Sequence, residues 1–172
     1  VGDTCVQVRH VGGPAHTVGD AYVWLPDHGV VFTGDLVFNG GTPFVLMGSV
    51  TGALAAVEVL RALGATTLVP GHGPVCGPDA LDTVASYLAF VLEVATRARA
   101  DGVAPLEAAR STDLGEWGGL TDRERIVGNL HRAAADLDAA ERGLPVGAPI
   151  DVVAAIGDMV AYNDGRPLSC WA

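Results

Sequence analysis

The sequence predicts a mixed α/β protein of the α+β kind, with strands gathered in its first half and helices in its second. Two observations predict this. Residues 1–77 are rich in glycine and hold short apolar runs bounded by Gly and Pro. Residues 78–172 instead repeat apolar residues at helical spacing and carry most of the charge. The change of texture near Gly77 divides the chain into a β-rich part, 1–77, and a helical extension, 78–172, packed on it.

The elements follow in order. Cys5–His10 alternates and predicts a strand, followed by a Gly/Pro loop over Val11–Gly19. Ala21–Leu25 and Val30–Thr33 predict a hairpin joined by the turn Pro26-Asp27-His28-Gly29. Asp35 then falls just past a strand end, and Leu36–Ser49 reads as a long apolar loop. Thr51–Leu63 predicts a helix, with Thr51 as its N-cap and Gly64 as its stop. Thr66–Val69 predicts a short buried strand that ends in the tight loop Pro70-Gly71-His72-Gly73-Pro74.

In the extension, a helix is expected from Pro78 to Ala100, with Leu81, Val84, Leu88, Val91 and Leu92 on one face. A shorter one covers Pro105–Arg110. Thr121-Asp122-Arg123-Glu124 has the order of a capping box and predicts a helix to Arg142. Its mixture of Asp, Glu and Arg reads as a solvated face. A last helix covers Ile150–Tyr162.

Composition narrows the function. The chain has 172 residues, 49% of them hydrophobic, which is enough for a buried core. Ten basic residues face 20 acidic ones, a net charge of −10, which argues against nucleic acid or an anionic membrane surface as the partner. No run approaches the ~20 apolar residues of a membrane span. All ten basic residues are Arg, and Ala and Gly abound, the signature of a GC-rich coding sequence rather than a demand for guanidinium groups. The three cysteines, Cys5, Cys76 and Cys170, have no CxxC spacing, and the start shows no basic region followed by an apolar one. A cytoplasmic protein acting on a small molecule is the expectation.

Three segments place a metal-capable side chain on a Gly-rich turn: Gly13-Pro-Ala-His16-Thr-Val-Gly-Asp20, Phe32-Thr-Gly-Asp35 and Pro70-Gly-His72-Gly73. Each candidate sits just past or between predicted strands, where a sheet can hold a site in fixed geometry. Neutral imidazole with carboxylate suits zinc, and also manganese or iron. Asp20 either orients the His16 loop through backbone hydrogen bonds or begins the next strand. Thr17 and Thr33 flank the candidates and could do similar supporting work.

In this order the three segments resemble the third, fourth and fifth motifs of the metallo-β-lactamase superfamily, over residues 5–77. The resemblance implies the C-terminal half of an αββα sandwich, followed by a helical extension. It implies two metals, usually zinc, with His16 on the first, Asp35 bridging both and His72 on the second. A metal-bound hydroxide is then the implied nucleophile, attacking an ester, thioester or amide carbonyl. The family's first motif, His-x-His-x-Asp-His, has no counterpart here: the other histidines are His10, His28 and His131, none so spaced. That departure and the initial Val1 predict an N-terminally truncated chain, inactive by itself, whose activity belongs to the complete protein. The segments Glu124-Arg125…Asn129-Leu130-His131-Arg132 and Met159-Val-Ala-Tyr-Asn163-Asp-Gly-Arg166-Pro also resemble the helical tail of a bacterial subgroup that includes polyketide cyclases and thioesterases.

His28 reads as a solvated turn residue, His10 as a strand end or a support for the His16 loop, and His131 as a surface residue. Asn39, Gly40, Gly41 and Phe44 would border the metal site. Glu116-Trp117 reads as a lid or a packing anchor, and Cys76 as a small core thiol. The alternative to an enzyme is a non-catalytic half-domain that binds a partner, or one chain of a split enzyme, through an exposed sheet.

Overall fold

The structure is a computed structural model that describes residues 2–168. Cys170 and Trp171 lie outside the described residues. The fold is mixed α/β, as the texture of the sequence predicts. A four-stranded sheet is built from β1 (Gln7–His10), β2 (Ala21–Leu25), β3 (Val30–Phe38) and β4 (Thr67–His72), in the spatial order β1-β2-β3-β4. The first three strands run antiparallel, and β4 is parallel to β3. Parallel pairing needs a crossover, supplied by helix α1 (Val50–Arg61). Helices α2 (Asp79–Ala100), α3 (Pro105–Ser111), α4 (Arg125–Glu141) and α5 (Val152–Tyr162) follow.

The sheet has two unlike faces. Tyr22, Trp24, Val31 and Leu68 point inward and are buried. They join one core with Val57 and Leu60 of α1, Val84, Leu88 and Val91 of α2, and Ile126 and Leu130 of α4. The β-rich part and the helical extension therefore share a continuous core. On the other face, Val8, Val23, Phe32 and Val69 fall in register across all four strands. Val8 is 72% exposed and Phe32 43%. No helix among the described residues is long and apolar enough to cross a membrane.

Several boundaries differ from the sequence reading, each for a physical reason. β3 does not stop at Thr33 but runs on to Phe38, so Asp35 lies inside a strand. The ladder to β4 is irregular there, shifting register between Phe32 and Gly34 and again between Gly34 and Phe38. Pro70, opposite Gly34, has no N–H to offer the ladder. Such an irregularity bends a strand and re-aims its side chains. Helix α1 is capped by Ser49, not Thr51; the Ser49 hydroxyl accepts from the Gly52 N–H at 3.0 Å.

The capping box at Thr121 does not form. Asp122 adopts a left-handed backbone at φ 54°, the Thr121 carbonyl accepts from the Thr42 N–H, and α4 begins only at Arg125. Nor is α4 a solvated helix: Arg125, Asn129, Arg132 and Asp136 are all buried. His131 is not a free surface residue either, because its Nε2 lies 2.8 Å from the Asp158 carboxylate of α5. Trp117 packs edge-to-face on Tyr87 at 5.6 Å, the anchor reading rather than the lid.

Candidate metal centre

Each candidate side chain is delivered by a different connection of the sheet. His16 sits in the loop between β1 and β2. Val11 N–H donates to the Asp20 carbonyl at 3.0 Å and closes the base of that loop. The Asp20 carboxylate accepts from the Thr17 N–H at 2.8 Å and from the Thr17 hydroxyl at 2.7 Å, so it fixes the turn immediately after His16. His10 spans the same loop: its Nδ1 accepts from the Gly12 N–H at 3.0 Å, leaving Nε2–H toward the Val18 carbonyl at 3.4 Å. His10 thus supports the loop rather than merely ending a strand. Gly48 lets the chain before α1 lie directly against this loop; a β-carbon there would land on the Ala15 carbonyl.

Asp35 projects from the irregular stretch of β3, and His72 ends β4. Gly71 is required between them, because a β-carbon on it would strike Oδ1 of Asp35. The Asn39 N–H donates to the His72 carbonyl, and Asn39 Nδ2 to the Pro74 carbonyl, both at 2.9 Å. These bonds lock the end of β3 to the His72 loop.

The two histidines converge on the Asp35 carboxylate. His16 Nε2 lies 3.4 Å from Oδ2, and His72 Nε2 lies 3.5 Å from Oδ1. All three are partly exposed, Asp35 most of all at 41% of its side chain. His16 Nδ1 meets the Phe44 carbonyl at 2.5 Å. A carbonyl only accepts, so Nδ1 carries the proton. In the neutral imidazole, Nε2 then presents a lone pair to the carboxylate. Facing acceptors are satisfied by a proton or by a cation between them.

The spacing fits a cation. Two ligands of a tetrahedral zinc ion, each about 2.0–2.1 Å from the metal, lie roughly 3.3–3.4 Å apart. The His16–Asp35 and His72–Asp35 pairs each match one such edge. A metal-bound imidazole ordinarily donates its other N–H to a carbonyl or carboxylate, as His16 does. The two pairs share one carboxylate and do not make one complete site: among the described residues no group of three His, Cys, Asp or Glu side chains is arranged to hold an ion together. The chemistry of the donors fits zinc.

Around the cluster, Phe38 stacks on His72 with ring centres 4.7 Å apart and planes 9° apart, and lies 6.0 Å from His16. Beneath it is a cavity of only about 10 Å³, bordered by His16, Asp35, Phe38 and Phe44. Larger clefts lie elsewhere. One of about 490 Å³ is bordered by Thr121, Glu124, Tyr162 and Arg166, and one of about 610 Å³ by Val11, Pro14, Thr51 and Val146. Burial raises the Cys76 thiol pKa, as befits an unreactive packing thiol.

The sequence reading missed the residues that hold the 39–49 loop. Asn129, fully buried, accepts from the Val45 N–H at 3.0 Å and donates to the Pro43 carbonyl at 2.7 Å. Arg125 donates to the Thr42 carbonyl at 3.0 Å. Asp136 accepts from the Ser49 hydroxyl and the Val50 N–H, both at 2.8 Å, at the positive end of α1. One signal could have found them. Positions 125, 129, 132 and 136 follow the 4-3-4 spacing of a single helix stripe, the stripe a packed helix turns inward.

The family model of the metallo-beta-lactamase superfamily matches residues 1–72. The match covers most of the β-rich part and none of the helical extension. A beta-lactamase-like protein 2 homolog from Caenorhabditis elegans is 29% identical over 68 residues, 40% of this chain and 22% of that protein. A metallo-beta-lactamase from Pontibacter korlensis is 26% identical, with a TM-score of 0.46 over 51% of this chain and 43% of that one. The metallo-beta-lactamase FIM-1 from Pseudomonas aeruginosa, solved in a mono-zinc form, is also 26% identical, with a TM-score of 0.44 over 48% of this chain and 38% of that one. The chain spans less than half the length of each of these relatives.

Proposed function

We propose that this chain supplies part of the metal centre of a metal-dependent hydrolase. The observation that carries the reading is one carboxylate, Asp35, facing the Nε2 atoms of two histidines through its two separate oxygens. His16 and Asp35 would hold one ion, and Asp35 and His72 a second, zinc being the ion the donor set favours. Such ions supply a water activated near neutral pH and a Lewis acid for the carbonyl under attack. The protein's own part is geometric. Phe44 fixes the His16 tautomer, Phe38 fixes the plane of His72, and Gly71 leaves room for Asp35.

The substrate class we assign is an ester, thioester or amide, with polyketide-like thioesters as the narrower candidate. The test is a panel of thioester, lactone and β-lactam substrates offered to the complete protein, with zinc content measured alongside. Asp35→Ala should remove both bound zinc and turnover. Unchanged zinc content in that variant would sink the assignment.

One observation favours a second reading. The open row Val8–Val23–Phe32–Val69 is a continuous apolar surface of the kind that another protein surface covers. On this reading the chain acts by docking a partner through its sheet. Light scattering that finds a stable monomer at high concentration would count against it.

A further inference from the structure

We infer that Arg125, in the helical extension, is a positioning residue for the His16/Asp35/His72 cluster. The inference rests on the metal-centre reading for its consequence, and on geometry alone for its mechanism. Arg125 is 7% exposed. One arm of its guanidinium donates to the Thr42 carbonyl at 3.0 Å, and another meets the Asp122 carboxylate at 2.8 Å. Between those anchors its carbon centre lies 5.4 Å from the Phe38 ring and 5.7 Å from the Phe44 ring.

These are the two residues that set the histidines. Phe38 stacks face to face on His72, and the Phe44 carbonyl accepts the His16 Nδ1–H. One buried cation therefore grips both supports at once, from a helix outside the part of the chain that the family model matches. A guanidinium suits this place and an ammonium does not. It is planar, it stacks on aromatic rings, and its fork reaches two acceptors in fixed directions. Asp122 is itself held for the purpose: its side chain is fully buried, and it occupies a left-handed backbone that aspartate tolerates better than most residues.

A purely structural role predicts something different, which Arg132 can represent. It lies on the same helix, is 2% exposed, pairs with Asp136 and, among the described residues, stacks on neither ring. The experiment compares Arg125→Lys with Arg132→Lys in the 172-residue chain. Three quantities are read: the urea midpoint, the ring proton resonances of His72 and His16 without metal, and zinc affinity by chelator competition.

For Arg125→Lys the expected result is loss of the shielding that Phe38 imposes on the His72 ring, and roughly tenfold or more weaker zinc binding, the size typical of losing a ligand's support. For Arg132→Lys it is a lowered urea midpoint with His72 and zinc affinity unchanged. Arg125→Lys with wild-type His72 resonances would overturn the inference. So would equal displacement of those resonances by Arg132→Lys. Should Arg125→Lys not fold, Asp122→Asn keeps the left-handed turn while weakening one anchor, and is expected to shift His72 in the same direction. If even the parent chain binds no zinc, the metal reading fails, and the His72 resonances alone still decide what Arg125 does.

Discussion

Two carboxylates illustrate how differently the halves of this molecule use charge. Asp35 stands partly exposed at an irregularity in β3, facing two histidines at 3.4 and 3.5 Å. Asp136 is sealed in α4 at 3% side-chain exposure, 3.0 Å from an equally buried Arg132. Asp35 lies farther from its partners than a charge-assisted hydrogen bond would hold it. Asp136 is tied by short hydrogen bonds to the start of α1. The first environment leaves ligating atoms accessible. The second spends them on holding helices together. The Arg132–Asp136 contact is close but poorly aligned: Arg132 Nη2 and Asp136 Oδ1 form no hydrogen bond among the described residues. Charge attraction, more than directional bonding, holds that pair.

The contrast can be broken by matched substitutions. Asp136→Ala strands the Arg132 charge in the core and should cost about 3–5 kcal/mol in urea unfolding. Asp35→Ala removes a partly exposed group with no short bond and should stay within about 0.5 kcal/mol. Comparable losses in the two variants would dissolve the distinction.

Alkaline pH sharpens it next. Burial against α4 raises the Tyr87 phenol pKa well above its ordinary value. The unfolded chain releases that proton near pH 10, while the folded chain keeps it. The unfolded state then binds fewer protons, so stability falls above about pH 10, by up to ~1.4 kcal/mol per pH unit. Tyr87→Phe should flatten that fall in unfolding curves taken between pH 9 and 11. A fall of equal slope in the variant would contradict the buried phenol.

Ser49→Ala, which removes the α1 cap, should cost about 1 kcal/mol in the same assay. The smallest effect belongs to the exposed Arg61–Asp82 pair, whose loss in Arg61→Ala should not be measurable.

How much of this was legible in the sequence follows the same division. The segments bearing His16, Asp35 and His72 announced themselves because Gly and Pro punctuate them, and tight turns demand those residues. That the three converge was implied only by the family resemblance, and no local pattern shows it. The reach of β3 to Phe38 was hidden, since Gly34 and Asp35 look like a turn until Pro70 is seen opposite them. The burial of the stripe 125, 129, 132 and 136 is hidden for a deeper reason. Polar residues on a helix look solvated until their partners are known, and those of Arg125, Asn129 and Asp136 lie about 80 residues away in the 39–50 segment. Burial of a charge is a tertiary fact, and only the pairing reveals it.

On the proposed reading, His16, Asp35 and His72 form two zinc half-sites sharing one carboxylate. A zinc titration of the 172-residue chain, followed through the imidazole nitrogen resonances of all five histidines, tests it directly. Nε2 of His16 and Nε2 of His72 should move together, His10, His28 and His131 should stay in place, and Asp35→Ala should abolish the response. Zinc that leaves His16 and His72 unmoved, or moves them equally in the Asp35→Ala variant, would contradict it.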